Sequence, residues 1–238
     1  LGDEARSKGA SVLLAPTVNI HRHPLGGRNF ECYSEDPYLT AEIAVAFIEG
    51  VQSRGVGCAV KHFAFNDQET DRMEIDVAVD ERTRREIYLP PFEAAVRRAR
   101  VWSVMAAYNR VDGRYCSEHP GLLTDLLRGE WGFDGLVMSD WFGTHGAAAL
   151  AAGLDLEMPG PANALGHHLA AAVEEGEVTA DAVERAAQRV LDLIDRTAPL
   201  RVHVGDLLEP PADAPAVVRA AATEAIVLLA NDGVLPLD

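Results

Sequence analysis

Positive charge is scarce in this sequence. Lysine and arginine together number 21 against 37 aspartates and glutamates, for a formal charge of −16, and the only lysines are Lys8 and Lys61. An acidic surface repels phosphate backbones and anionic headgroups, which argues against nucleic acid or membrane surfaces as partners. Long apolar runs are also missing, with none approaching the roughly 20 residues of a membrane span. Cys32, Cys58 and Cys116 are the only cysteines. They form no Cys-x-x-Cys pair and no cluster with histidine, so no structural metal is expected. Three free thiols fit a reducing compartment and favour a cytoplasmic location. No initiator Met is present. Leu1-Gly2-Asp3-Glu4 reads as the middle of a helix, so upstream sequence is expected, and any signal peptide with it. Gly-x-Gly-x-x-Gly after a strand and the P-loop pattern are both absent, which removes the main support for dinucleotide or nucleotide binding. The remaining composition, 48% hydrophobic and 24% charged over 238 residues, is that of a globular protein.

Apolar, β-rich runs recur at 11–15, 57–63, 101–108, 135–139 and 153–158. Most are continuous rather than alternating, as parallel strands buried on both faces are. Helical patterns follow them. Asp36-Pro37 starts one that carries Leu39, Ile43, Phe47, Gly50 and Val51 and stops near Gly55. The stretch 81–100 is acidic at its start and basic at its end, with Pro90-Pro91 expected to kink or restart it. Leu122, Leu123, Leu126 and Leu127 mark a short helix. Two more helices follow the fifth strand, the second with Val183, Ala187, Val190, Leu191 and Ile194 on one side. Strand–helix alternation without hairpins predicts an α/β fold with right-handed crossovers, here an incomplete (β/α)8 TIM-like barrel, since five strands are visible where eight are required. Residues 1–197 are expected to form this barrel without its N-terminal part. A proline-bearing linker follows at 198–215, and 216–238 begins a second α/β domain, with a helix at 216–225, a strand at 226–230 and a turn at Asn231-Asp232-Gly233.

Catalytic groups of a barrel sit at the carboxyl ends of its strands. The second strand ends in Lys61-His62. A lysine in an apolar run either pairs with an internal carboxylate or meets a ligand, and two adjacent donors suit vicinal hydroxyls. The fourth ends in Ser139-Asp140-Trp141. Asp140 is either an N-cap or a carboxylate nucleophile with an aromatic platform beside it, the combination that sugar-processing enzymes need. Tyr108 either fills space or hydrogen-bonds that carboxylate and holds it ionised. After the first strand, a polar loop with two glycines carries Arg28 and Glu31, which either bind hydroxyls or pair with each other.

Taken together, these residues resemble glycoside hydrolase family 3. The resemblance runs through Pro16-Thr17-Val18-Asn19-Ile20, Gly27-Arg28-Asn29-Phe30-Glu31, Ser34-Glu35-Asp36-Pro37, Lys61-His62-Phe63 with Asn66-Asp67-Gln68-Glu69, and Met105-Ala106-Ala107-Tyr108-Asn109. It continues through Cys116-Ser117, Trp131-Gly132-Phe133, Ser139-Asp140-Trp141, Gly153-Leu154-Asp155-Leu156-Glu157-Met158-Pro159 and Val227-Leu228-Leu229-Ala230-Asn231-Asp232-Gly233. Its nearest subgroup resembles the bacterial and fungal β-glucosidases.

The resemblance implies a retaining exo-glycosidase that releases terminal β-D-glucose and needs neither metal nor cofactor. Asp140 matches the nucleophile. Arg28, Lys61 and His62 match residues gripping the −1 sugar, and Met105, Tyr108 and Trp141 match its lining. The family's acid/base glutamate comes from a second domain, and another sugar-binding aspartate lies upstream of Leu1. The Asp/His pair that single-domain N-acetylglucosaminidases use is not matched by Ala64-Phe65-Asn66-Asp67. The isolated chain is therefore expected to be aggregation-prone and inactive on cellobiose. The alternatives are a β-xylosidase, a barrel aldolase with Lys61 as Schiff base, and a sugar-binding piece without turnover.

Overall fold

The computed structural model describes residues 1–198, 209 and 211–237. Eight strands are present among them: β1 Val12–Leu13, β2 Gly57–Phe63, β3 Asp76–Val77, β4 Ser103–Ala106, β5 Arg110–Val111, β6 Arg114–Tyr115, β7 Leu136–Trp141 and β8 Leu156–Met158. Five form one sheet in the order β1-β2-β4-β7-β8, and each neighbouring pair is parallel. Every strand adds on the same side of its predecessor, the winding of a barrel. A doubly wound sheet would reverse direction midway. The α/β half-barrel is thus confirmed.

Side-chain parity divides the sheet into two faces. Cys58, Val60, Val104, Ala106 and Val137 join the large core under the outer helices, while Ala59, Met105, Leu136 and Met138 form a second cluster on the opposite, inner face. Lys61 continues the column of Ala59, and Asp140 continues that of Leu136 and Met138, so both belong to the inner face by the strand period of two. Val190 and Leu193 of the helix Ala180–Thr197 pack against this inner cluster. This helix therefore covers part of the inner face.

The outer layer shows how local sequence makes its helices. Asp36 caps the helix Pro37–Gln52 by accepting from Tyr38 N at 2.8 Å, and Pro37 opens it. Its buried face is Thr40, Ala41, Ala44, Val45, Ile48 and Val51. Of the residues that marked this helix in the sequence, Leu39, Ile43 and Gly50 are exposed. The buried face thus mixes small residues with Val45, Ile48 and Val51, while Leu39 and Ile43 are turned out. The 81–100 stretch does break at the prolines: a π-turn over Arg84–Tyr88 precedes a new helix, Pro90–Arg97. In the helix Ala180–Thr197, Val183 and Val190 face inward, but Ala187, Leu191 and Ile194 are exposed. The inner-face packing uses Leu193 instead.

Two expectations fail. Strand–helix alternation was read as free of hairpins, yet β5 and β6 pair antiparallel across Asp112-Gly113 and join β3 in a three-stranded satellite sheet. Gly113 supplies the positive φ that the tight turn requires. In addition, 226–230 is no strand. It is exposed, unpaired extended chain after the helix Ala214–Ala225, since no neighbouring strand among the described residues offers it a ladder. The turn at Asn231 does form, with its side-chain oxygen accepting from Gly233 N and Leu235 N at 3.1 Å each. Most of the proposed linker, 199–208 and 210, lies outside the described residues.

Candidate active site

Two of the parallel ladders lose their register near their carboxyl ends. The β2–β4 pairing shifts between Val60 and Phe63, and the β7–β8 pairing between Met138 and Trp141. Irregularities of this kind re-aim side chains. Lys61, His62 and Asp140 lie within these two intervals.

His62 is held on both sides by Asn19, which accepts from its backbone N–H at 2.9 Å and donates to its carbonyl at 3.1 Å. The Asn19 oxygen also lies 3.3 Å from His62 Nδ1, which places the ring proton on Nδ1. Nε2 is then an acceptor, and Arg28 Nη1 sits 3.3 Å from it. Burial, followed by the charges of Arg28, Lys61 and Arg72, drives the His62 pKa well below its ordinary value, so the ring is neutral. Asp140 Oδ2 lies 3.4 Å from Nε2 but receives no proton from it in this tautomer.

Asp140 is 9% exposed. Its Oδ1 accepts from Trp141 N at 2.7 Å. The Tyr108 hydroxyl donates to the Trp141 carbonyl at 2.8 Å, beside the carboxylate. Burial and then the Asp140 charge push the Tyr108 phenol up to about 12. Tyr108 thus remains a proton donor, bonded to the neighbouring carbonyl and close enough to the Asp140 carboxylate for that contact to add to the rise.

Glu31 organises the cations. Its Oε1 accepts from Arg28 Nε at 2.6 Å. Its Oε2 accepts from Thr17 Oγ1 at 2.8 Å and lies 3.8 Å from Lys61 Nζ. Burial opposes its charge, yet the hydrogen bonds from Arg28 and Thr17 and the charges of Arg28 and Lys61 outweigh that, leaving its pKa below the usual carboxylate range. Burial in turn lowers the pKa of Lys61. Arg28 and Glu31 pair with each other, and Arg28 Nη1 still faces His62.

All the sequence-predicted positions except one join this cluster directly. Arg28, Lys61, His62, Tyr108 and Asp140 are linked by the contacts above. Trp141 follows the nucleophile candidate and is 48% exposed, as a platform for a ring must be. Met105 is the exception: at 2% exposure it packs with Ala59, Leu136 and Met138, beneath the charged layer. Thr17, Asn19, Glu69 and Arg72 were missed as individuals. Asn19 and Thr17 were legible as polar residues flanking buried Val18, whereas nothing in the spacing places Arg72 over Tyr108.

Among the described residues, no group of three His, Cys, Asp or Glu side chains is arranged to hold a metal ion. No helix there is long and apolar enough to cross a membrane. A groove of about 390 Å³ between the helices Pro37–Gln52 and Pro90–Arg97 lies on the outer layer and contains none of the site residues.

Known proteins align with the whole of this chain. A curated "Beta-glucosidase" of Rhizobium radiobacter is 58% identical over 100% of the chain and 29% of its own length. An "Exo-alpha-(1->6)-L-arabinopyranosidase" of Bifidobacterium longum is 46% identical over 100% of the chain and 31% of its own. The solved structure of beta-glucosidase 3B from Thermotoga neapolitana in complex with glucose superposes with a TM-score of 0.92 at 43% identity, covering 100% of this chain and 34% of that one. The chain therefore spans about a third or less of the length of these relatives. The family model described as "Glycosyl hydrolase family 3 N terminal domain" matches residues 1–193, and the chain belongs to glycosyl hydrolase family 3.

Proposed function

We propose that this chain carries the nucleophile and the sugar grip of a retaining, exo-acting β-glucosidase. The observation that carries this reading is Asp140, a buried carboxylate at a strand end. One of its oxygens is held by a backbone N–H, and the other lies 3.4 Å from a neutral histidine. Such an oxygen is oriented but not neutralised. In the proposed reaction, Asp140 attacks the anomeric carbon, the bond to the leaving oxygen breaks with its electron pair, and a glycosyl ester forms. Arg28, Lys61 and His62 hold the hydroxyls of the −1 sugar, while Tyr108 and Trp141 bound it and Met105 packs beneath them. The leaving oxygen takes its proton from an acid that later activates water. Glu31 and Glu69, the other carboxylates in this network, are committed to Arg28 and Arg72. As the resemblance to the two-domain members of the family implies, the acid/base is assigned to a glutamate of a further domain, within about 5–5.5 Å of Asp140 as retention demands. On this reading 1–197 is the barrel domain, 198–215 the linker and 216–238 the beginning of that further domain. Neither metal nor cofactor enters the chemistry, and a chelator should leave the rate unchanged.

The test uses this chain within a polypeptide as long as its relatives, assayed on cellobiose and nitrophenyl β-glucoside. Turnover of both, with the 238-residue chain alone inactive on cellobiose, is the expected result. No hydrolysis of either by the long form would refute the reading. The arabinopyranosidase relative gives a second reading: the contacts named here grip ring hydroxyls and do not select the C6 substituent. Parallel assays on nitrophenyl glucoside, xyloside and arabinopyranoside separate these substrates.

A further inference from the structure

The loop after β2 returns to the site through a pair that the proposed chemistry does not use. Arg72 lies with its guanidinium carbon 4.8 Å from the centroid of the Tyr108 ring, a cation–π distance. Its Nη1 donates to Glu69 Oε2 at 2.8 Å. Glu69 in turn packs on Gly27. A Cβ added at Gly27, which has φ +86°, would lie 2.7 Å from Glu69 Cγ. Gly27 precedes Arg28, and the Tyr108 hydroxyl contacts the Trp141 carbonyl beside Asp140. A single ion pair thus links the turn carrying the sugar-gripping arginine to the aromatic ring that flanks the carboxylate.

We propose that Arg72 is a positioning residue of this site, holding the Tyr108 ring against the Asp140 strand and, through Glu69, the Gly27-Arg28 turn. The proposal rests on the β-glucosidase reading above. Arg72 touches no reacting atom. It acts by fixing the ring whose hydroxyl flanks the nucleophile, so its loss should fall on kcat more than on KM. Arginine suits this place better than lysine, because its planar guanidinium stacks on the ring while its N–H groups reach Glu69. Its positive charge also contributes to keeping His62 neutral and opposes the rise of the Tyr108 pKa.

The experiment uses the full-length form on nitrophenyl β-glucoside. Arg72→Gln should lower kcat about tenfold with KM within about twofold, and Arg72→Lys should recover part of that loss. In a Tyr108→Ala background, Arg72→Gln should add less than about twofold, because the two residues act as one unit. A kcat for Arg72→Gln within about twofold of the parent would overturn the proposal. A full tenfold loss added on top of Tyr108→Ala would also overturn it, since Arg72 would then act elsewhere. If Arg72→Gln does not fold, Arg72→Lys decides by the same cycle. A parent that hydrolyses no glycoside refutes the underlying function, a result distinct from an active parent with a silent Arg72.

Discussion

Two aspartates of this chain sit in nearly the same kind of sequence and have opposite fates. Asp140 ends the run Leu136-Val137-Met138-Ser139 of β7, and Asp155 precedes β8 after Gly153-Leu154. Both residues are buried overall, at 9% and 8% exposure, but the Asp140 side chain keeps 11% of its surface and that of Asp155 only 1%. Asp155 accepts from Val137 N at 2.8 Å and Arg128 Nη2 at 2.6 Å on one oxygen, and from Arg189 Nη1 at 2.8 Å on the other. Its partners come from β7, the π-helix Gly121–Glu130 and the helix Ala180–Thr197, so the carboxylate joins three elements. Burial still pushes its pKa up and that of Arg128 down, against their mutual attraction. Asp140, by contrast, has one backbone donor and an open oxygen. The structural anion is separated from the reactive one by the donors already committed to each oxygen and by its fully covered side chain.

The largest expected effect falls on the open carboxylate. Asp140→Ala should reduce turnover by at least about 10⁴-fold while the thermal midpoint moves little, because few native contacts are lost. Asp155→Ala should do the reverse. Removing the anion leaves the half-buried Arg128 and Arg189 without it, at a cost of up to about 3–5 kcal/mol in denaturant unfolding. If Asp155→Ala were as stable as the parent, or Asp140→Ala unfolded, the contrast between them would be wrong.

Glu31 tests the middle ground, a carboxylate committed to cations that themselves face the sugar. Glu31→Gln should raise KM about tenfold with kcat within about threefold, since Arg28 and Lys61 lose a charged anchor. An unchanged KM would mean that the pair does not set the grip.

The smallest effect should come from Asp67, which accepts from Ile20 N at 2.6 Å. Burial raises its pKa from 3.8 to about 7. The folded state therefore holds this proton more tightly than the unfolded chain does. The resulting stabilisation is complete below the unfolded value and is lost as pH rises through about 7. Asp67→Asn keeps an acceptor without the charge, so it should gain stability relative to the parent at pH 8 and show less difference at pH 5. A gain confined to acid pH would reverse that sign.

The sequence carried the sheet well, because parallel strands buried on both faces leave continuous apolar runs. β2 matches its expected bounds at both ends. Lys61 and Asp140 were legible for the same reason, as charges that interrupt or end such runs. Asp155 was visible in a family motif but not as a hub, since Arg128 and Arg189 lie 27 and 34 residues away from it along the chain. The exposed Leu39, Ile43 and Leu191 misled the helix faces, because apolar residues on the solvent side add to the periodic pattern as buried ones do. The β5–β6 hairpin was missed because two-residue strands carry almost no pattern, although Asp112-Gly113 was the available signal.

The most direct measurement is mass spectrometry of the full-length form after incubation with a 2-deoxy-2-fluoro-β-glucoside that forms a long-lived glycosyl ester. The fluoroglucosyl mass is predicted on the peptide containing Asp140, with no label in Asp140→Ala and undiminished labelling of Asp140 in any Asp155 variant that still folds. Label on Asp155, Asp67 or Glu31 would contradict the account.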